Sequence, residues 1–207
     1  MNNPRIAIQG KGKLSDASLR FLANSGLRFK PNGRNCIVTC ENYPLDILFL
    51  RDDDIPKYVA RGVADFGIVG ENVLLEQNVR AKTLQKLPFG SCSLVIAVPK
   101  NSFIQALPDL EGKTIATSYP NLLKGLLQEE KINANIITLK GSVEIAPSVD
   151  LADAICDLTQ TGKTLEENNL KPLVTILESQ AVLIQSPFLT QRAAKNLEEL
   201  FTLPSRL

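Results

Sequence analysis

The 207-residue chain has no histidine and no tryptophan, one methionine and four cysteines. The missing histidine excludes His-based catalytic dyads and triads and any His-ligated metal site. Cys36, Cys40, Cys92 and Cys156 have neither CxxC spacing nor a histidine partner, so zinc and thioredoxin-type readings are poor. Cys36 and Cys40 sit in an apolar, strand-like run and read as small buried residues of a reducing compartment. Charge of one sign is lacking too: 23 Lys+Arg against 22 Asp+Glu leaves +1. Such a chain has no global field for nucleic acid or an anionic membrane, and any basic function must be local. No apolar run approaches the roughly 18 residues of a membrane span. Met-Asn-Asn-Pro-Arg followed by a strand does not read as a signal peptide. The expectation is a cytoplasmic protein.

What is present is an ordinary globular composition, 44% hydrophobic and 22% charged. Short β-branched runs alternate with helical patterns, which argues an α/β chain. Strands are expected at Arg5–Gln9, Cys36–Cys40, Leu45–Leu50 and Asp65–Val69. Between them come a helix over Ser15–Ser25 with Ser15 as N-cap, a helix capped by Asp54, and a short helix over Glu71–Gln77. A second α/β series follows: strands Ser93–Val98, Thr114–Thr117, Ile136–Leu139 and Ala154–Leu158, with helices over Pro120–Glu130, Glu144–Leu151 and Leu165–Asn168. Strands near Leu173–Leu177 and Ala181–Gln185 and a helix over Thr190–Phe201 close the chain. This order predicts two α/β lobes, 1–88 with 176–207 and 89–175, with a ligand cleft between them.

Four constellations can carry chemistry. In the first, the strand ending on Asp157 runs into Thr159-Gln160-Thr161-Gly162-Lys163-Thr164 and then a helix. Unpaired N–H groups and hydroxyls there suit a phosphate, and a carboxylate at the strand end suits sugar hydroxyls. An ordinary strand–turn–helix with a Thr cap is the competing reading. The spacing is not that of a Walker A loop. The second is Gln9-Gly10-Lys11-Gly12-Lys13, either an anion site or a solvated basic turn. The third is Arg51-Asp52-Asp53-Asp54, either a cation site or a helix start favoured by carboxylates, the latter being the stronger reading. The fourth is Gly67–Glu71, where Gly70 either admits a ligand close to backbone or only makes the turn before Glu71.

The run Gly141–Leu165 resembles the signature of the ATP phosphoribosyltransferase family. Glu144, Ile155, Asp157, Leu158, Thr161, Gly162, Thr164 and Leu165 fit the family pattern. Asp150 stands where the family usually has Gly, and Asp tolerates a left-handed backbone better than most residues. Gln9–Ser15, Arg51–Pro56, Gly62–Leu74 and Ile115–Pro120 also look like family blocks, in family order. The resemblance implies a periplasmic-binding-protein-like (type II) fold with two α/β lobes and an interlobe active site. It implies transfer of 5-phosphoribosyl from phosphoribosyl pyrophosphate to N1 of ATP, the first step of histidine biosynthesis, with Mg²⁺ on the substrate phosphates. Adenine N1 already carries a lone pair, so a chain without histidine is adequate; the task is orientation and stabilisation of the departing pyrophosphate.

Carried over by position, Thr159, Gln160, Thr161, Gly162, Lys163 and Thr164 hold the 5-phosphate. Asp157 and Glu144 face the ribose hydroxyls or the loop, and Lys11 also contacts substrate. Lys13 falls where the family has Arg, so it supplies charge to the pyrophosphate without a bidentate fork. Arg34 matches another family arginine near the leaving group. Gly10, Arg51, Gly70 and Glu71 are the candidate nucleotide contacts. The resemblance further implies a homo-oligomer, a dimer, and either a short-form subunit working with a histidyl-tRNA-synthetase-like regulatory subunit or a long form lacking its regulatory domain. The alternative from another class is a non-catalytic two-lobed ligand-binding module.

Overall fold

The computed structural model describes residues 3–31, 35–189 and 200–201. The chain divides into two compact units, 1–90 with 180–207, and 91–179. The expected division at 175/176 falls inside one continuous strand, Leu170–Ser179. The chain changes units only once that strand has ended.

In the first unit, β1 (Arg5–Gln9) leads to α1 (Lys13–Asn24). Then come β2 (Ile37–Thr39), β3 (Asp46–Leu50), α2 (Ile55–Ala60), β4 (Phe66–Gly70), α3 (Glu71–Gln77) and β5 (Lys82–Lys86). The second unit contains β6 (Cys92–Pro99), β7 (Thr114–Thr117), α4 (Pro120–Glu129), β8 (Asn135–Thr138), β9 (Ala154–Thr159), α5 (Lys163–Glu167) and β10 (Leu170–Ser179). The chain then returns to the first unit as β11 (Ala181–Gln185).

The first sheet has the order β2-β3-β1-β4-β11-β5 and the second β10-β6-β9-β7-β8. In the first, β3, β1 and β4 are parallel, and β11 runs antiparallel to β4. In the second, β8, β7 and β9 are parallel, and β6 runs antiparallel to β9. The two units therefore share one arrangement, a parallel trio completed by antiparallel strands. In such sheets, ligand sites collect at the carboxyl ends of the parallel strands.

Alternation along each strand gives the sheets two buried faces. In β1, Ile6 and Ile8 pack with Leu22 of α1, while Ala7 faces the other way with Ile55 and Val59 of α2. Gly67 lets α2 approach: a Cβ there would stand 2.8 Å from Ile55 Cγ2 and 2.9 Å from Val59 Cγ2. In the second unit Ile96, Ile115 and Cys156 pack with Leu123 and Leu127 of α4, and Val95, Ala116 and Ile155 pack with Leu165 of α5.

Several expectations need correction. Ser15 is not the N-cap of α1; it is buried within the helix, and Gly12 occupies the cap position. Asp54 makes no side-chain cap to α2, because its carboxylate is 3.3 Å from Lys57 Nζ and it ends a 3-10 helix, Asp52–Asp54. β5 was not expected: Lys-Thr-Leu-Gln-Lys lacks an apolar face because it is an edge strand paired only with β11. Cys36 is exposed, unlike the buried Cys40 and Cys156. Burial, and then the Asp46 charge, push the Cys40 thiol up to about 11. The expected terminal helix lies outside the described residues, save for Leu200 and Phe201.

Candidate functional site

In the second unit, the candidate loop begins where β9 leaves the sheet. Asp157 is in the last half of that strand, in register with Val95 of β6. Its Oδ1 accepts from Leu158 N–H at 2.8 Å. Burial raises its pKa above the ordinary aspartate value; the Leu158 N–H opposes this and the Glu144 charge adds to it. The strand end is braced from β7. Thr117, fully buried, donates Oγ1–H to Cys156 O at 2.7 Å and accepts from Tyr119 N–H at 2.8 Å.

The loop that follows is held by its own hydroxyls. Thr159 Oγ1 accepts from Gly162 N–H at 3.0 Å, and Thr161 Oγ1 accepts from Lys163 N–H at 3.4 Å. The N–H groups of Gly162 and Lys163, expected to be unpaired, are therefore engaged within the loop, whereas accepting uses oxygen lone pairs and leaves the hydroxyl protons to donate. Gly162 takes φ 77, ψ −6, the left-handed turn that starts α5. Thr161, Lys163 and Thr164 are exposed, and Gln160 Nε2 donates to Ser91 O at 3.4 Å. Lys163 Nζ stands 3.6 Å from Glu167 on an exposed surface, a contact worth little in water.

Glu144 arrives on a 3-10 helix, Val143–Val149, anchored by buried Val143 and Ala146. The expected α-helix is a 3-10 helix because Pro147 interrupts it. It ends at Asp150 with φ 56, ψ 24. This is the left-handed conformation the family's usual Gly would adopt freely, and Asp adopts it here. Glu144 and Asp157 thus lie within electrostatic reach of each other, beside a loop rich in donors.

In the first unit, a cavity of about 550 Å³ is lined by Gln9, Gly10, Lys11, Asp16, Arg51 and Asp52 among others. It lies at the carboxyl ends of β1 and β3, where Gly10 N–H donates to Leu50 O at 2.8 Å. Lys11 and Lys13 are exposed on the turn that opens α1. Cys36 and Asn35 also line this cavity, although nothing in their sequence pattern marked them. Arg34 lies outside the described residues. Gly70 and Glu71 are not among the lining residues. The missing Cβ of Gly70 makes room for the buried Asn72 side chain. Glu71 Oε2 is 2.8 Å from Lys86 Nζ, and Glu71 N–H donates to Gln180 O at 2.9 Å. Among the described residues, no group of three or more His, Cys, Asp or Glu side chains could hold a metal ion. Burial, then neighbouring Asp52, raise the Asp53 carboxyl above its ordinary value. Among the described residues, no helix is long and apolar enough to cross a membrane.

Residues 51–203 match the family HisG, ATP phosphoribosyltransferase. The chain is 46% identical over 196 residues to ATP phosphoribosyltransferase from Cytophaga hutchinsonii, covering 95% of this chain and 68% of that relative. It is 43% identical to the enzyme of the same name from Parabacteroides distasonis, covering 95% and 69%. A chain of the ATP phosphoribosyl transferase (HisG:HisZ) complex from Thermotoga maritima superposes with TM-score 0.81 at 32% identity, covering 95% of this chain and 96% of that one. The protein belongs to the ATP phosphoribosyltransferase family. A substrate binding protein of an amino acid ABC transporter superposes with TM-score 0.61 at 15% identity over 96% of this chain and 91% of that one. That likeness shows the type II binding-protein fold alone, and it does not favour a non-catalytic binding module.

Proposed function

We propose a division of labour between the two units for the reaction of this family. The chain transfers the 5-phosphoribosyl group from phosphoribosyl pyrophosphate to N1 of ATP and releases pyrophosphate, at the entry to histidine biosynthesis. The bond from ribose C1 to the pyrophosphate oxygen breaks, and a bond from adenine N1 to C1 forms. Charge grows on the leaving pyrophosphate, so fixed cations there stabilise the transition state more than the ground state.

The second unit holds the phosphoribosyl end. Thr159, Thr161 and Thr164 hydroxyls and the turn at Gly162 receive the 5-phosphate, with Gln160 and Lys163 at its margin. Asp157 and Glu144 accept from the ribose hydroxyls. The observation that carries this reading is the loop's prior organisation: Thr159 already fixes Gly162 N–H, so little ordering remains when substrate arrives. The first unit supplies Lys13, with Arg34, for the leaving pyrophosphate. Lys11, Gly10 and Arg51 line a cavity that suits the nucleotide. Gly70 and Glu71 are structural by their contacts and are weaker candidates. Mg²⁺ would ride on the polyphosphate substrates and supply charge neutralisation there. The likeness to a chain from a HisG:HisZ complex supports an assembly with a partner subunit. A cytoplasmic setting fits these substrates.

The direct test is to mix the chain with ATP, phosphoribosyl pyrophosphate and Mg²⁺ and follow the absorbance of the N1-substituted adenine. Product must require both substrates. AMP and adenine as acceptors test the base specificity. Absence of product from a folded chain supplied with a regulatory partner overturns the assignment.

A further inference from the structure

Helix α1 starts without a cap of the ordinary kind. Its cap position is Gly12, which has no side chain to accept from the first-turn N–H groups, and those groups need partners. One acceptor comes from the preceding strand. Gln9, the last residue of β1, places Oε1 3.1 Å from Leu14 N, which donates to it. Gly12 is fitted to that amide. Its φ 119, ψ −177 is a conformation essentially confined to glycine. A Cβ there would stand 3.0 Å from Gln9 Oε1 and 3.2 Å from Gln9 Cδ and Nε2. The amide therefore sits directly against the turn that carries Lys11 and Lys13. The turn is anchored at both ends, by Gly10 N–H on Leu50 O and by Leu14 N–H on Gln9. Gln9 also lines the 550 Å³ cavity together with Gly10 and Lys11.

We propose that Gln9 is a positioning residue for the basic turn: its carboxamide caps α1 and thereby fixes where Lys11 and Lys13 present their charge. This rests on the leaving-group role given above to Lys13. A displacement of about 1 Å in a group that stabilises the transition state can cost on the order of a hundredfold. The choice of an amide is informative. A carboxylate at this position would also cap the helix and would suit its positive end. It would, however, set a negative charge beside the lysines and against an incoming polyphosphate. Helix stability and catalysis would then move in opposite directions, and the neutral Gln9→Met, which adds no charge, separates lost positioning from that repulsion.

The experiment compares Gln9→Glu, Gln9→Met, Lys13→Ala and Gln9→Met/Lys13→Ala in the full chain, with melting temperature, Leu14 amide exchange, kcat and each KM as readouts. Gln9→Glu should melt at or above the parental temperature yet lose about tenfold or more in kcat/KM. Gln9→Met should speed exchange of the Leu14 amide and lower kcat roughly tenfold. In the Lys13→Ala background, Gln9→Met should cause little further loss of kcat, because the group it positions is gone. Parental kcat in both Gln9 variants, or losses that multiply in the double variant, overturns the inference while an impaired Lys13→Ala leaves the leaving-group reading standing. A silent Lys13→Ala overturns that reading, and the inference with it. Should Gln9→Met fail to fold, Gln9→Asn, which keeps a neutral amide but withdraws it from Leu14 N–H by one methylene, goes through the same comparison with Lys13→Ala and is read the same way.

Discussion

The two units place the same strand arrangement under different chemistry. In the first, the basic turn follows β1, the middle strand of the parallel trio; in the second, the hydroxyl loop follows β9, an outer strand of its trio. Both turns pass through a glycine at positive φ, but for different reasons. Gly12 has the Gln9 amide 3.0 Å from where a Cβ would be, and its ψ of −177 lies beyond the ordinary left-handed region. Gly162 has φ 77, ψ −6, and a Cβ there would meet nothing within 4 Å. One glycine makes room for a neighbour; the other only makes a turn. The second-unit loop is held by hydroxyls three and two residues away, whereas the basic turn depends on a side chain five residues before the N–H it caps.

That contrast sets the largest expected difference. Gly12→Ala should destabilise the chain by about 3 kcal/mol, from backbone strain plus displacement of Gln9. Gly162→Ala should cost about 1 kcal/mol, the ordinary left-handed penalty for a residue with a Cβ. Urea unfolding of both variants measures this. Equal losses would mean that the Gln9 amide yields freely to the new methyl group, and the contrast between the turns would be gone.

Next in size is Lys13→Ala. Removing a cation from the leaving pyrophosphate should lower the single-turnover rate by roughly a hundredfold and raise the ATP KM much less. Lys13→Arg should be tolerated, since it restores the forked donor usual at this position in the family. An Ala variant altered only in ATP KM would move Lys13 to the nucleotide. Thr161→Val should act in the other unit, raising the phosphoribosyl pyrophosphate KM about tenfold or more through one lost charge-assisted hydrogen bond. Unchanged affinity in that folded variant would remove the loop from the phosphate.

The strands other than β5, the α3 helix and the strand-to-loop passage at Asp157–Thr164 are legible in the sequence, because apolar alternation and β-branched runs report directly on burial. Asp150 was legible in a subtler way: its tolerance of a left-handed turn, inferred from residue type, matches φ 56. What escaped depends on contacts distant in sequence or on strand edges. The polarity of β5 hides a strand whose partner, β11, lies about a hundred residues on. Ser15 has the chemistry of an N-cap, yet the helix begins two residues earlier because Gln9 supplies the acceptor. Asp54 likewise has cap chemistry, but Lys57 takes its carboxylate. Local propensity names the residue that could cap a helix, and tertiary contact decides which one does.

The smallest effect concerns the carboxylates that the basic turn lacks. Burial first, and the Glu144 charge in addition, raise the Asp157 pKa in the folded chain. A raised folded pKa means that the folded state binds this proton more tightly than the unfolded state. The contribution of Asp157 to stability is therefore fully present below its unfolded pKa and is lost as pH rises through the folded value. Glu144→Gln removes the added charge and should lower the Asp157 titration midpoint toward its ordinary value. Above the folded midpoint, where Asp157 is ionised in both states, that cause of its destabilisation should disappear; below the unfolded value it should make no difference. Carbon-detected titration of the Asp157 carboxyl and urea unfolding across acidic to neutral pH measure the two sides of this linkage. The same variant should raise the KM for phosphoribosyl pyrophosphate, because an amide is a weaker acceptor for ribose hydroxyls than a carboxylate. A midpoint that stays where it was would leave burial and the opposing Leu158 N–H setting the Asp157 proton, and would uncouple Glu144 from Asp157.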